Sequence, residues 1–333
     1  MILNPSILAL ILPSLLQSLL VAYAFATSIR IVGNWDISSG SEQQLGLERR
    51  TYLVSTIMNM ALTMQLLSLF LFIFTADALH SQLSGAMCAV GSLNANVYAY
   101  PVLLLKIVNF LLCGVWLVIN RVDNRAYDYP LINPKYRFLQ LLAPLILLET
   151  VIQLTYFLNL RSRILTSCCG SQFGSEGNSV TASIISLPPT ISSLIFYCVM
   201  LTALASGIRF LLAGKGAPLF GILSGTALLV GIISVVAFIS PYYYELPTHH
   251  CPFCILQGEY NYIGYPLYLT LLGGGLSGIS CGVLAAFRRQ GSLQTVIPAT
   301  QKRLAATSLA LLGAFVLLVS WQLVFSGLRM IGN

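Results

Sequence analysis

The stretch THHCPFCIL, positions 248–256, places His249, His250, Cys251 and Cys254 within six residues of one another. The whole chain has only 3 His and 8 Cys. Two chemistries use these side chains at this spacing. Thiolates and imidazoles are ligands for soft or borderline ions such as Cu(I) and Zn(II). A C-x-x-C turn offers two sulfurs to one ion, and an adjacent His adds a nitrogen. The same spacing serves thiol–disulfide exchange. Pro252 suits the first position of a helix leading into the next apolar run. Cys251 would then sit near the N-cap, where backbone N–H groups and the helix dipole favour a thiolate. There is no second C-x-x-C, no H-x(3–5)-H and no C-x-x-C-H, so neither a zinc knuckle nor covalent c-type haem is expected.

Other residues of the same types lie elsewhere in the chain. Cys88 follows His80 by eight positions, and Cys168 and Cys169 form a vicinal pair. The expected metal set is therefore His249, His250, Cys251 and Cys254, with Cys168, Cys169, Cys88 and His80 as further ligands and copper or zinc as the ion. Asp77, three residues before His80, is placed to orient that ring if the helix reaches so far. A different use of the sulfurs is structural. Cys88 bridged to Cys168 or Cys169 would clip two loops together, although five loop cysteines cannot all pair.

Under the redox alternative, Cys251 and Cys254 are the catalytic pair and a quinone takes the electrons. The arrangement is similar to that of membrane thiol oxidases, in the placing of a cysteine pair above a helical bundle alone. The βαβ pattern of a thioredoxin domain is absent. The nearby aromatics Tyr242, Tyr243, Tyr244, Phe253, Tyr260, Tyr262 and Tyr265 read first as an interfacial belt. Their second reading is the lining of a quinone or haem pocket.

Two ionisable residues fall inside apolar runs, Lys106 and Glu149. Charges at such depth are costly, mark Lys106 and Glu149 as candidate catalytic residues, and call for a partner. The two depths differ by roughly 8 Å at 1.5 Å rise per residue. A Lys106–Glu149 pair is expected if their helices are neighbours, as a short connection implies. The alternative is a Lys106 that reaches the interface alone.

These residues need a frame. The chain is 57% hydrophobic and 8% charged, with a mean hydropathy of +0.83. A soluble domain is about a quarter charged. Eight apolar runs, at about 5–28, 52–75, 101–120, 138–159, 184–206, 217–240, 262–287 and 304–327, are each long enough for a membrane helix, which needs about 20 residues. The expected fold is all-α and polytopic, a single bundle over 1–333 embedded in a lipid bilayer. MILNPS runs straight into the first apolar segment without a basic region, so no cleavable signal peptide is expected. No nucleic-acid partner follows from the charge of +7, because basic residues of a membrane protein distribute by side.

That distribution is uneven. Thirteen Lys and Arg fall in the odd-numbered loops, against Arg161 and Arg163 in the even ones. The positive-inside rule then puts both termini and the loops 77–100, 160–183 and 241–261 on the outer face. In a bacterial cell this is the periplasmic side of the inner membrane. All three histidines and five cysteines share those loops. Cys113, Cys198 and Cys281 fall inside runs, as small buried apolar residues. Gly274, Gly278 and Gly282 repeat every fourth residue, a stripe for close helix approach. It serves either another helix of the chain or a subunit of a larger membrane complex.

No P-loop, nucleophile–base triad or dinucleotide fingerprint is visible. The leading expectation is an outer-face Cys/His site that binds, delivers or helps transport a soft metal, received from or passed to a periplasmic metal or thiol partner. The alternatives are the Cys251–Cys254 oxidoreductase and a non-catalytic scaffold with bridged cysteines.

Overall fold

The computed structural model describes residues 4–36, 39, 41–83, 85–86, 88–126, 128–160 and 184–330. Cys168 and Cys169 lie outside the described residues. Those described contain helices, turns and no strand. Eight helices are long and apolar enough to cross a membrane: Pro5–Asn34, Glu42–Gln82, Ala99–Asp123, Ile132–Leu158, Pro189–Ala213, Ala217–Tyr244, Gly264–Phe287 and Val296–Phe325. They are called the first to eighth long helices below. The protein is a multi-pass membrane protein by this architecture.

Local sequence sets the helix ends. Asn4 accepts from the Ser6 N–H at 2.9 Å, with Pro5 in the first turn behind it. This is the usual N-terminal arrangement of a capping amide and a proline that has no N–H to lose. The fifth long helix starts on Pro189 and ends at Gly214, in the left-handed region at φ 67°. Gly216 repeats that conformation at φ 93° and starts the sixth. Only glycine takes these values freely, and two of them reverse the chain within four residues.

The chain divides into two compact units. The first unit comprises Met1–Ala78, Leu93–Ser162 and Phe287–Ile297. In it the first long helix packs on the second and fourth, and the third on the second and fourth. The ring of four encloses Met58, Leu62, Trp116, Tyr136, Leu139 and Ile146. At one end of this bundle Lys135 and Asp123 form a fully buried ion pair at 2.5 Å. The second Asp123 oxygen accepts from the Leu131 N–H at 2.9 Å, which fastens the connection between the third and fourth helices.

The second unit comprises Leu79–Ser92, Arg163–Ala286 and Pro298–Asn333. Here the sixth long helix packs on the fifth and the seventh. The glycine stripe is used inside the chain. A Cβ on Gly282 would meet the Gly221 Cα at 2.8 Å, and one on Gly278 would meet Ser224 and Ser308. Ser308 donates to the Gly274 carbonyl at 2.7 Å. Of the two partners expected for the stripe, a helix of the same chain is the one found: the sixth and eighth helices pack on it, and glycine lets the backbones close to near contact. Cys113 and Cys281 are buried as expected, but Cys198 is exposed on the fifth helix.

Candidate functional site

Three of the expected sulfurs meet in the second unit. Cys88, Cys251 and Cys254 are all buried, and their Sγ atoms lie within 4.8 Å of one another. Cys88 Sγ and Cys251 Sγ are 3.9 Å apart, non-bonded when set against the 2.05 Å or so of a disulfide. Metal–thiolate bonds of about 2.3 Å, opened at tetrahedral to trigonal angles, hold sulfurs roughly 3.8–4.0 Å apart. The Cys88–Cys251 separation falls in that interval.

Each sulfur is brought in by a tight piece of backbone. Cys88 precedes a five-residue helical turn, Ala89–Leu93, and its carbonyl accepts from the Gly91 N–H at 2.9 Å. A side chain on Gly91 would strike Ala86, with its Cα at 2.8 Å. Glycine there lets the segment fold over itself. Cys254 opens the short 3₁₀ turn Cys254–Leu256. That turn rests on the start of the seventh long helix, where a Cβ on Gly264 would lie 2.9 Å from the Ile255 carbonyl oxygen.

Two tyrosines hold the C-x-x-C turn by its backbone. The Tyr244 hydroxyl donates to the Cys251 carbonyl and accepts from the Ile255 N–H at 2.9 Å. The Tyr268 hydroxyl donates to the Pro252 carbonyl at 2.6 Å. The belt expected from the tyrosines is therefore incomplete. Tyr242 and Tyr244 are buried, at 2% and 7% exposure; the Tyr242 hydroxyl accepts from the Met330 N–H and the Tyr244 hydroxyl donates to the Cys251 carbonyl. Tyr268 is a further residue of the site, outside the motifs of the sequence. Its signal was available, because a tyrosine four residues into an apolar helix needs a partner for its hydroxyl.

The expected helix through Pro252 does not form. Between Glu245 and Gly264 the chain makes turns and 3₁₀ segments, with Glu245, Asn261 and Tyr262 all at φ between 53° and 56°. These left-handed residues break any helical run before Gly264. Cys251 is consequently not at the N-terminus of a long helix, and the dipole argument for a reactive thiolate does not apply to it.

No described histidine joins the sulfur group. His250 is turned to the sixth helix, with Nδ1 3.0 Å from the Val236 carbonyl oxygen. A carbonyl can only accept, so Nδ1 carries the proton. Val236 lies in the π-turn Val235–Ile239, where the widened helix loosens the ordinary i to i+4 pairing. His249 packs its ring against Tyr244 at 4.5 Å. Burial holds the His249 imidazole below its ordinary pKa, the nearby Cys88 pushes it up, and His250 pushes it down. Burial likewise pushes the Tyr260 hydroxyl up, with Cys254 and Glu259 adding to the effect. His80 lies in the 3₁₀ turn Leu79–Gln82 and is half-buried.

The first unit holds the other expected pair. Lys106 Nζ lies 2.7 Å from Glu149 Oε1. Around them is a set of uncharged partners that sequence reading missed. Glu149 Oε2 accepts from Gln65 at 2.5 Å and from Asn109 at 2.6 Å. Lys106 also donates to Ser68 at 2.6 Å and stands 5.5 Å from the Phe72 ring centre. Both carboxylate oxygens and two of the three ammonium protons are thereby used. Gln65 and Ser68 are three apart, as are Lys106 and Asn109, so each pair shares a helix face.

Compared with models of known protein families, with curated proteins and with solved structures, the chain gives no match.

Proposed function

We propose that the protein holds a soft metal ion, Cu(I) foremost, on Cys88, Cys251 and Cys254 at the outer face of a cell inner membrane, for delivery or transport. The observation that carries this reading is the convergence of three buried sulfurs from two separate segments within 4.8 Å. Three thiolates and no carboxylate make a soft donor set. Structural zinc takes four protein ligands, whereas three sulfurs satisfy Cu(I). Deprotonation of the thiols accompanies binding, so the ion replaces protons in the site. The outer location rests on the arrangement of Lys and Arg alone.

Thiol exchange is the weaker reading. An attacking sulfur has to be reached by its partner, and Cys251 is fully buried while Cys254 is 7% exposed. We read the Lys106–Glu149 network as structural rather than catalytic, since its charges are already matched by fixed donors and acceptors.

The test is anaerobic purification of the full chain, followed by Cu(I) titration against a chelator of known affinity. One ion per chain is expected. Second-sphere changes at metal sites cost about 10–100-fold in affinity, and Cys88→Ser or Cys251→Ser is expected to cost more. A Cys168→Ser/Cys169→Ser variant measures any contribution of that pair. Stable disulfides at Cys88 or Cys251 with no ion taken up would reject the proposal in favour of a scaffold.

A further inference from the structure

We infer that the first unit carries a binding site for one anionic glycerophospholipid, in the groove where Arg121 and Arg125 face Asn59. The groove runs between the second and third long helices and encloses about 690 Å³. Its floor is the Ser55 hydroxyl donating to Asn120 Oδ1 at 2.5 Å, both residues buried. Its mouth is Arg121, in the last turn of the third helix, and Arg125, in the turn just beyond its end, both exposed. No acidic residue lines it. The nearest aspartate in the chain, Asp123, is buried and already paired with Lys135.

The wall opposite the arginines makes the groove more than a basic helix end. Thr56, Asn59, Met60 and Thr63 occupy one stripe of the second helix and all face outward. An outward face of a membrane helix meets hydrocarbon, where a polar side chain without a partner is costly. The two threonines satisfy their own hydroxyls on the Tyr52 and Asn59 carbonyls, at 3.0 and 2.7 Å. The Asn59 amide has no such outlet among the described residues. Asn59 lies nine positions beyond Arg50, or about 13 Å further along the helix at 1.5 Å per residue.

A diacyl lipid fits this gradation of chemistry. Its phosphate meets two guanidinium groups, which grip phosphate bidentately. Its ester carbonyls accept from the Asn59 amide, one to two turns deeper. Its acyl chains lie over Met60 and Leu117. Arginines at a helix C-terminus also suit the helix dipole, but the dipole does not account for an amide held out toward lipid. Basic pockets between membrane helices are known anionic-lipid sites as a class. A net negative headgroup is required, because a zwitterionic one brings its own cation to the two arginines.

The experiment uses the purified full chain in detergent with equimolar dioleoyl phosphatidylglycerol and dioleoyl phosphatidylcholine, and counts retained lipid by native mass spectrometry. One phosphatidylglycerol is expected to persist where phosphatidylcholine is lost. Each arginine near a headgroup is worth roughly 5-fold in affinity, so Arg121→Gln/Arg125→Gln should lower retention roughly 25-fold. Asn59→Leu should lower it without changing charge. A control, Arg209→Gln/Lys215→Gln, removes two charges from another loop and should leave retention unchanged. Inorganic phosphate in millimolar excess should not displace the lipid. Equal retention of the two lipids overturns the inference, as does equal loss in the control, or full displacement by inorganic phosphate, which would make the groove an anion site alone.

Discussion

The two buried clusters of this protein are built in opposite ways. The Lys106–Glu149 network stands on three long helices, and its charges are met by fixed partners on the same bundle. The sulfur group stands on short turns held by glycine contacts and tyrosine hydroxyls, and its three Sγ atoms lie within 4.8 Å of one another. A polar cluster with its charges matched has little left to offer a ligand, and its worth is in fixing helix positions. On the proposed reading, the three clustered thiols are where a soft cation would bind, displacing their protons. The first cluster reads as architecture and the second as a site.

The sharpest way to break this contrast is to remove one charge from the first cluster. Leaving either partner of a buried pair alone costs about 3–5 kcal/mol. Glu149→Leu and Lys106→Met should each lower the unfolding midpoint in detergent strongly, while the double variant recovers much of the loss. Metal uptake by the folded fraction should be unchanged. A stable Glu149→Leu protein with altered function would reverse the assignment.

Next in size is Gly264→Ala. The added methyl meets the Ile255 carbonyl at 2.9 Å, and overpacking of this kind costs about 1–3 kcal/mol. The strain falls on the turn that carries Cys254, so affinity for Cu(I) should drop with stability. Tyr268→Phe removes one hydrogen bond to the Pro252 carbonyl, and an unsatisfied buried acceptor costs about 1–3 kcal/mol. Chelator competition should show weaker binding with the overall fold retained. The smallest effect belongs to His250→Gln. With Nδ1 engaged at Val236, its loss should leave Cu(I) affinity unchanged, whereas Cys88→Ser should remove binding.

The eight helices were legible because apolar length is a strong signal in a chain with so few charges. Lys106 and Glu149 were legible as a pair because each is expensive alone at that depth. Gln65, Ser68 and Asn109 were not, since uncharged polar residues in apolar runs carry no signal of where they point until the helices are packed. The sulfurs of Cys88, Cys251 and Cys254 could be grouped from loop parity, which is set by Lys and Arg far from them. The fate of His250 could not, because a π-turn holding Val236, 14 residues earlier in the chain, decides which carbonyl it meets. The helix expected from Pro252 into the next apolar run is broken by the left-handed residues Asn261 and Tyr262; Asn tolerates that conformation, but a tyrosine gives no sign of it.

The most direct test of the central claim is copper K-edge absorption on anaerobically loaded protein. The account predicts Cu(I) with a sulfur shell near 2.3 Å, retained in His250→Gln and lost in Cys88→Ser. A shell of nitrogen or oxygen only, or a spectrum that Cys88→Ser leaves unaltered, would contradict it.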